Sequence, residues 1–354
     1  MVGDLPLFTM WYYVAKRLIY FVPTIVLILL INFAILEWMP GGPVQYIHGV
    51  LSEASLDEGL PDVSGQVILP QELQDELEKQ IGLEQPRWQR FLLLLKNYVT
   101  FDLGTSYRSG RCVRDMVLER LPNTLIVGVI SFVLIYIFAI PVGLLLGYRR
   151  PGVMMRGVRI ILMMLYAMPS VVLGMAMVLC FSTGYITNYF PSGGMCSLGL
   201  GDASLWKTIK DYAWHIFLPV LTVILSSFAA PMSLIESSVR TERKKKYAYA
   251  AYMRGLSNWD VLSKHVLKNS MVPLLGYMPG QLGSIILTKP LFVEIIFSFG
   301  GLGTLIFQAF ESRDYAVIFG TLYIFSLMRV VLYLLGDVIV MLMDSRVSFE
   351  ELRR

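Results

Sequence analysis

The sequence predicts an all-α integral membrane protein with six transmembrane helices, and three observations carry that prediction. Of its 354 residues 55% are hydrophobic and only 16% are charged, well below the ~25% charge of soluble domains. The apolar residues gather in long blocks rather than in an amphipathic period. The basic residues crowd particular connections between those blocks, as they do at the cytoplasmic side of a membrane.

Taking the elements in order, Leu18–Leu36 holds no charge and can cross a ~30 Å hydrocarbon core at ~1.5 Å per residue. Its apolar run exceeds a ~7–15-residue signal core. Glu37-Trp38-Met39-Pro40 follows it rather than a small-x-small cleavage site, so it reads as a retained signal-anchor. Leu121–Tyr148 and Ile160–Phe190 are the second and third spans, Ile216–Ile235 the fourth and Ser270–Thr288 the fifth. Tyr315–Met343 is the sixth and carries two ionisable residues, Arg329 and Asp337.

The net charge of +4 matters less than its placement. Lys16 and Arg17 precede span one, and Arg149, Arg150, Arg156 and Arg159 flank the second-to-third connection. Arg243 to Lys246, Arg254, Lys264 and Lys268 crowd the fourth-to-fifth connection. Both termini and these two loops are therefore expected in the cytoplasm. Beside a span the Arg243–Lys246 cluster suits anionic lipid, and no nucleic-acid partner is expected.

Three divisions follow: 1–39, a cytoplasmic N-terminus and span one; 40–120, a large extracytoplasmic insertion; and 121–354, a core of five spans with a cytoplasmic loop at 241–270. The insertion opens on a rigid turn, Pro40-Gly-Gly-Pro43. The stretch 51–66 reads as flexible, 70–80 and 87–99 as helices, and Val113–Leu121 as a last short helix. A short helix is expected at Leu305–Phe310. Pro141, Pro169, Pro219, Pro231, Pro273 and Pro279 interrupt the spans, either as hinges or as static kinks. Of three cysteines, Cys112 and Cys196 share the outer side, where a disulfide is an open option.

No motor is encoded. The chain lacks a G-x-x-x-x-G-K-[ST] phosphate loop, HExxH, Cys-x-x-Cys and G-x-S-x-G. The three histidines, His48, His215 and His265, are scattered, so no metal centre is expected, and His215 falls at the outer start of span four. The loop after span four differs from an ordinary connector. Thr241 and Glu242 can start a helix that runs to Arg254, with Gly255 at the left-handed position that ends it. Ser257-Asn-Trp-Asp260 opens a second helix as a capping box. Trp259, Leu262 and Val266 share one face of it. Ala250 and Ala251 allow a second surface to approach closely. By pattern alone the helix could equally lie on anionic lipid.

Ala250-Ala251-x-x-x-Gly255, with Pro273 eighteen residues on, resembles the EAA loop of ABC-importer permeases. The resemblance extends along the chain through Gly82-Leu-x-x-Pro86, Asp102-Leu-Gly-x-Ser106, Ser109-Gly-Arg111 and Arg120-Leu-Pro-x-Thr124. Glu294-x-x-Phe-Ser298, Gly301-Leu-Gly303, Ser312-Arg-Asp-Tyr315 and Asp344-x-Arg346 continue it. The ordered set is similar to the dipeptide/oligopeptide permeases, and most like their microcin C branch in Phe319-Gly-Thr-Leu-Tyr-Ile-Phe325. The resemblance implies the type I importer architecture in a bacterial inner membrane. It also implies a second homologous permease, two ABC ATPase subunits, an extracytoplasmic binding protein and a peptide substrate. ATP and Mg would sit on the ATPase subunits; this chain would bind no cofactor and would not itself be an enzyme. Tyr249, Ala250, Ala251, Arg254, Gly255, Trp259 and Asp260 would then make the coupling surface. Relatives also carry nickel complexes, so the solute class stays open.

The chain departs from that pattern at Tyr249, where an acidic or small residue is usual, and at Arg329 and Lys289-Pro290, where small residues are usual. Arg329 lies mid-span, where burial costs ~2.5–3.5 kcal/mol on insertion scales, so it should face protein or water. It serves either a structural ion pair or a pathway-lining charge. Asp337 is rotated ~80° from it along the helix, which makes a direct pair marginal. Lys289 and Glu294 fall near the outer end of span five, where snorkelling is expected; as ionisable groups in the spans, both stand with Arg329 and Asp337 as candidates to line the translocation pathway. A competing class, a self-contained secondary transporter relaying charge through Arg329 and Asp337, leaves the helical loop unexplained.

Overall fold

A computed structural model describes residues 5–38, 86–106, 108–148, 152–183, 186–197 and 204–343. All regular elements among these residues are helical, apart from one isolated bridge, Thr105 to Cys112. The expected helix at 70–80, the flexible stretch 51–66, the Pro40–Pro43 turn and the Asp344-x-Arg346 motif lie outside the described residues.

The first helix, α1, is Leu5–Trp38, with its apolar portion at Ile19–Ile35. α2 (Arg87–Val99) matches the expected helix. α3 (Val113–Tyr148) is one unbroken 36-residue helix. The separate short helix expected at Val113–Leu121 is therefore its first turns. Pro122 lies inside α3; it removes one backbone bond, and the apolar pattern on either side keeps the helix going.

The third span is not straight. α4 (Val153–Ala167) and α5 (Ser170–Phe181) meet at 110°. Met168 adopts ψ 137, the extended conformation that the following Pro169 imposes on its predecessor. The fourth span is shifted from its expected bounds. α6 runs Leu205–Leu225, a turn follows at Ser226–Phe228, and α7 is Ala229–Glu242. Pro231 enters in the first turn of α7, where a helix has no use for its missing N–H. His215 consequently sits in mid-helix, half-way along α6, with Nδ1 2.9 Å from the Asp211 carbonyl, rather than at a span start.

α8 is Lys246–Met253. α9 begins at Asn258–Asp260, passes through a π-helical Val261–Val266 and ends at Leu267–Ser270. α10 spans Val272–Phe297, longer than expected at its C-terminal end, with a π-helical segment at Ser284–Thr288. α11 (Leu302–Glu311) and α12 (Tyr315–Met343) complete the chain. Among the described residues four helices, α3, α6, α10 and α12, are long and apolar enough to cross a membrane, or five spans if the bent α4–α5 pair counts as one.

The described residues form two compact units. In the larger, whose described residues are 5–14, those within 120–305, and 328–343, the C-terminal half of α3 lies directly on α7. A Cβ added at Gly143 or Gly147 would come within 2.7 Å of the Met232 or Glu236 carbonyl oxygen. This four-residue spacing of glycines is the small-residue packing that lets membrane helices touch backbone to backbone. Ala139, Leu146, Phe228 and Met232 form the buried cluster beside it.

The smaller unit comprises residues 15–119 with 306–327. Phe33 meets Phe91 edge-on at 5.6 Å, and Arg90 pairs with Glu37 at 2.7 Å, holding α2 against α1. Ser106 Oγ donates to Asp314 at 2.6 Å, while Asp314 accepts the Val317 N–H and so caps α12. Two motifs over 200 residues apart in sequence, Asp102–Ser106 and Ser312–Tyr315, thus form one clamp. Cys112 and Cys196 are both free thiols.

Candidate functional site

The segment 241–270 folds as a braced helical platform. Its first expected boundary is wrong. Thr241 does not cap a new helix, because its hydroxyl bonds back to the Ser237 carbonyl as α7 continues through it. The break falls at Arg243–Lys245, and α8 starts at Lys246. Glu242 organises this turn by accepting hydrogen bonds from Lys245 Nζ at 2.6 Å and Tyr247 Oη at 2.5 Å. Partial burial opposes ionisation of Glu242, but the Lys245 and Tyr247 contacts outweigh it and hold its carboxyl below the usual range.

Gly255 terminates the first helix as expected, with φ +80, a conformation that costs a side-chain-bearing residue ~1–2 kcal/mol. Ser257 then accepts the Asp260 N–H at 3.2 Å, the N-cap half of the expected capping box, while the Asp260 carboxylate accepts the Ser257 hydroxyl instead of the Ser257 backbone N–H. Asp260 also pairs with Lys264 at 2.7 Å. The Lys264 and Ser257 hydrogen bonds hold its carboxyl below the ordinary range.

The faces differ from expectation. Val261, Leu262 and Val266 are buried, but Trp259 is 71% exposed. The π-helical turn at Val261–Val266 takes more residues per turn than an α-helix, so Trp259 no longer shares the face of Leu262 and Val266. In α8, Ala248 and Ala251 are buried while Tyr249, Ala250, Met253 and Arg254 are exposed. Ala251 thus seats the helix on the body of the protein instead of meeting a second surface. Tyr249 at 60%, Met253 at 67% and Trp259 at 71% exposure leave three large apolar side chains on this platform uncovered. The cations Arg243, Lys244, Lys246 and Arg254 are exposed on the same segment.

Tyr148, the last residue of α3, braces the platform from below. Its hydroxyl donates to the Asn258 carbonyl at 2.6 Å and lies 3.1 Å from the Tyr252 hydroxyl. Its carbonyl accepts from Arg243, whose guanidinium also sits 5.5 Å from the Tyr148 ring centre. One residue therefore touches the turn, the first helix and the start of the second. A second brace is ionic: Glu236 of α7, nearly fully buried, lies 3.2 Å from Arg159 of α4 and 2.6 Å from Arg240. Both are ion-pair contacts without hydrogen-bond alignment.

The charged groups expected in the spans separate into different kinds. Glu294 does not snorkel. It is fully buried, accepting from Thr124 Oγ1 and Gly303 N–H at 2.5 Å each. Thr124 in turn accepts the Leu302 N–H at 2.9 Å, and Asn123 donates to the Phe299 and Gly300 carbonyls. Three motif segments, Arg120–Thr124, Glu294–Ser298 and Gly301–Gly303, thereby meet as one lock on the turn between α10 and α11. A Cβ added at Gly301 would come within 2.4 Å of the Glu294 carboxyl carbon, so only glycine fits there. Sequence reasoning took the three motifs in order without seeing that they touch.

Lys289 is half-buried and reaches the Ser226 carbonyl at 3.5 Å, across to the α6–α7 turn rather than outward. Asp337 is buried at 9% exposure. Arg329 is exposed and, among the described residues, makes no hydrogen bond or ion pair, so it does not pair with Asp337.

Residues 139–349 match the family of binding-protein-dependent transport system inner membrane components. The match contains the whole platform. The chain belongs to this family of ABC-importer permeases. It is 34% identical to the peptidoglycan transport system permease protein YejB of Agrobacterium fabrum, covering 96% of this chain and 98% of that one. It is 31% identical to the inner membrane ABC transporter permease protein YejB of Escherichia coli O157:H7, covering 96% and 99%. It is 27% identical to the oligopeptide transport system permease protein AppB of Bacillus subtilis, covering 95% and 99%. The all-helical permease fold and the transport role expected from the sequence hold. In this membrane permease α3, α6, α10 and α12 are the described helices long and apolar enough to cross the membrane, and the bent α4–α5 pair is either a broken span or a re-entrant loop.

Proposed function

We propose that this permease forms half of the translocation pathway of an ATP-driven importer for peptides and is driven through the platform at 241–270. The relatives are named for peptidoglycan and oligopeptide transport, which supports a peptide-type substrate. α1 supplies the sixth span, both termini lie in the cytoplasm and the insertion at 40–120 lies outside. A second homologous permease completes the pathway. An extracytoplasmic binding protein delivers the solute, and two separate ATPase subunits bind ATP and Mg.

The observation that carries the coupling role is the exposed Tyr249–Met253–Trp259 surface on a braced support. Three uncovered aromatic or sulfur-bearing side chains on a rigid platform suit insertion into a partner's groove. Tyr148 and the Glu236 ion contacts join that platform to α3 and α4. ATP-driven closure of the ATPases would move the platform and rock the spans between inward- and outward-open states. The test is co-purification and uptake with W259A and Y249A. Loss of the ATPase subunits, with the second permease retained, is the expected result. Uptake that continues at the normal rate in cells lacking the ATPase subunits would refute the coupling role.

A further inference from the structure

Arg329 lies at the midpoint of α12, its side chain over Gly283 of α10: a Cβ added at Gly283 would come within 3.1 Å of Arg329 Cγ. Gly283 is also near the middle of its helix. A cation at that depth without a partner is strongly disfavoured against lipid and must meet an anion or water. Among the described residues none meets it, although the side chain is exposed.

The surface leading to Arg329 is open. Gly276, Gly280 and Gly283 follow at spacings of four and three, which places them along one side of α10. A Cβ added at Gly276 or Gly280 would touch nothing within 4 Å, whereas the Gly283 position is covered by the Arg329 stem. Next to Gly276, Tyr277 lines a groove of about 400 Å³ together with Tyr166, Ser233, Ser237, Ala230 and Leu234. Ser233 and Ser237 donate their hydroxyl hydrogens to carbonyls of their own helix. Their oxygens remain able to accept. From Tyr277 to Gly283 is about 9 Å along the helix axis, the length of two to three extended residues.

We propose that Arg329 binds the carboxylate of the transported substrate at the middle of the membrane and makes the permease selective for solutes with a free acid terminus. The proposal rests on the peptide reading above. A guanidinium presents a planar fork that matches a carboxylate bidentately. Hydroxyls in the groove can accept backbone N–H groups, and the glycine strip leaves room for the chain between. A helix of the second permease seated on the strip, with a carboxylate at the depth of Arg329, is the competing occupant. It would close the strip, whereas a groove of this size with hydroxyl walls fits an extended chain.

The test uses the assembled transporter in right-side-out membrane vesicles loaded with ATP and supplied with the binding protein, with radiolabelled trialanine and trialanine amide. The readout is the preference for acid over amide, compared between wild type, R329Q and R329K. R329Q should cut the preference by about tenfold or more, as loss of a charge-assisted contact implies. R329K should keep part of it, and both should co-purify with the second permease as wild type does. An unchanged preference, with uptake of both peptides falling together, overturns the proposal and assigns Arg329 to subunit pairing. An unchanged preference with unchanged uptake overturns it too. If wild-type vesicles take up neither trialanine nor a mixed pool of peptides of different lengths offered beside it, the peptide reading itself fails and the carboxylate site falls with it.

Discussion

The hydroxyl of Tyr148 is hydrogen-bonded to the carbonyl of Asn258 across 110 residues of sequence, at 2.6 Å. That bond ties the end of a membrane-crossing helix to the start of the helix that displays Trp259. In Y148F the ring stays in place and the bond is lost, which costs about 0.5–1.5 kcal/mol of local stability. The expected outcome is faster hydrogen exchange over 255–262, with weaker stimulation of ATP hydrolysis by substrate. Unchanged exchange in that segment would mean that Tyr148 does not brace the platform.

Gly255 holds φ +80 between the two platform helices, with open space where a side chain would project. Replacement is therefore penalised by backbone strain and not by collision. G255A should cost about 1–2 kcal/mol and G255V more, because branching at Cβ tightens the forbidden region. ATPase co-purification should fall in the order wild type, G255A, G255V. Equal binding by all three would remove the backbone argument.

How much of this was legible follows from the range of each signal. The glycine stop at 255 and the Ser257 cap on the Asp260 N–H are local chemistry, readable in a few residues, and both stand. The place of Trp259 was not readable, because hydropathy names apolar residues without saying which face is covered. The π-helical turn at Val261–Val266 then changes the period on which the face was counted. Span four was misplaced for a similar reason. Ser226, Ser227 and Phe228 are compatible with a membrane helix by composition, so the turn there leaves no hydropathy minimum. The Thr124–Glu294 contact joins residues 170 positions apart, and a single sequence holds no pairing information at that distance. Glu294 thus looked like a surface carboxylate near a span end, and only the packing shows it fully enclosed.

That enclosed carboxylate makes a sharp prediction. Both oxygens of Glu294 accept hydrogen bonds, from Thr124 and from the Gly303 N–H. Glutamine has the same shape but a single acceptor oxygen, so if that oxygen takes the Gly303 N–H its NH2 meets the Thr124 hydroxyl, which must then give up its present donation. E294Q should therefore lose about 1–3 kcal/mol, seen as a lower thermal midpoint of the purified permease. G301A should be at least as damaging, since its methyl would collide with the carboxyl. A midpoint equal to wild type in both variants would show that the lock contributes nothing to stability.

The platform turn should respond to acid through Glu242. Its folded-state carboxyl is held below the ordinary 4.5, with the Lys245 and Tyr247 contacts overcoming partial burial. A depressed carboxylate stabilises the fold above its unfolded value, and the contribution disappears as pH falls through the folded one. The turn should therefore be equally firm from pH 8 to pH 6 and should loosen only below 4.5. E242Q removes the charge at every pH, so it should be less stable than wild type near neutrality, and the gap should narrow as the medium is acidified. Thermal midpoints of the two proteins between pH 7 and about pH 3 decide the matter. A gap that widens on acidification would mean that Glu242 is stabilised in its protonated form, contrary to the geometry of the two donors aimed at it.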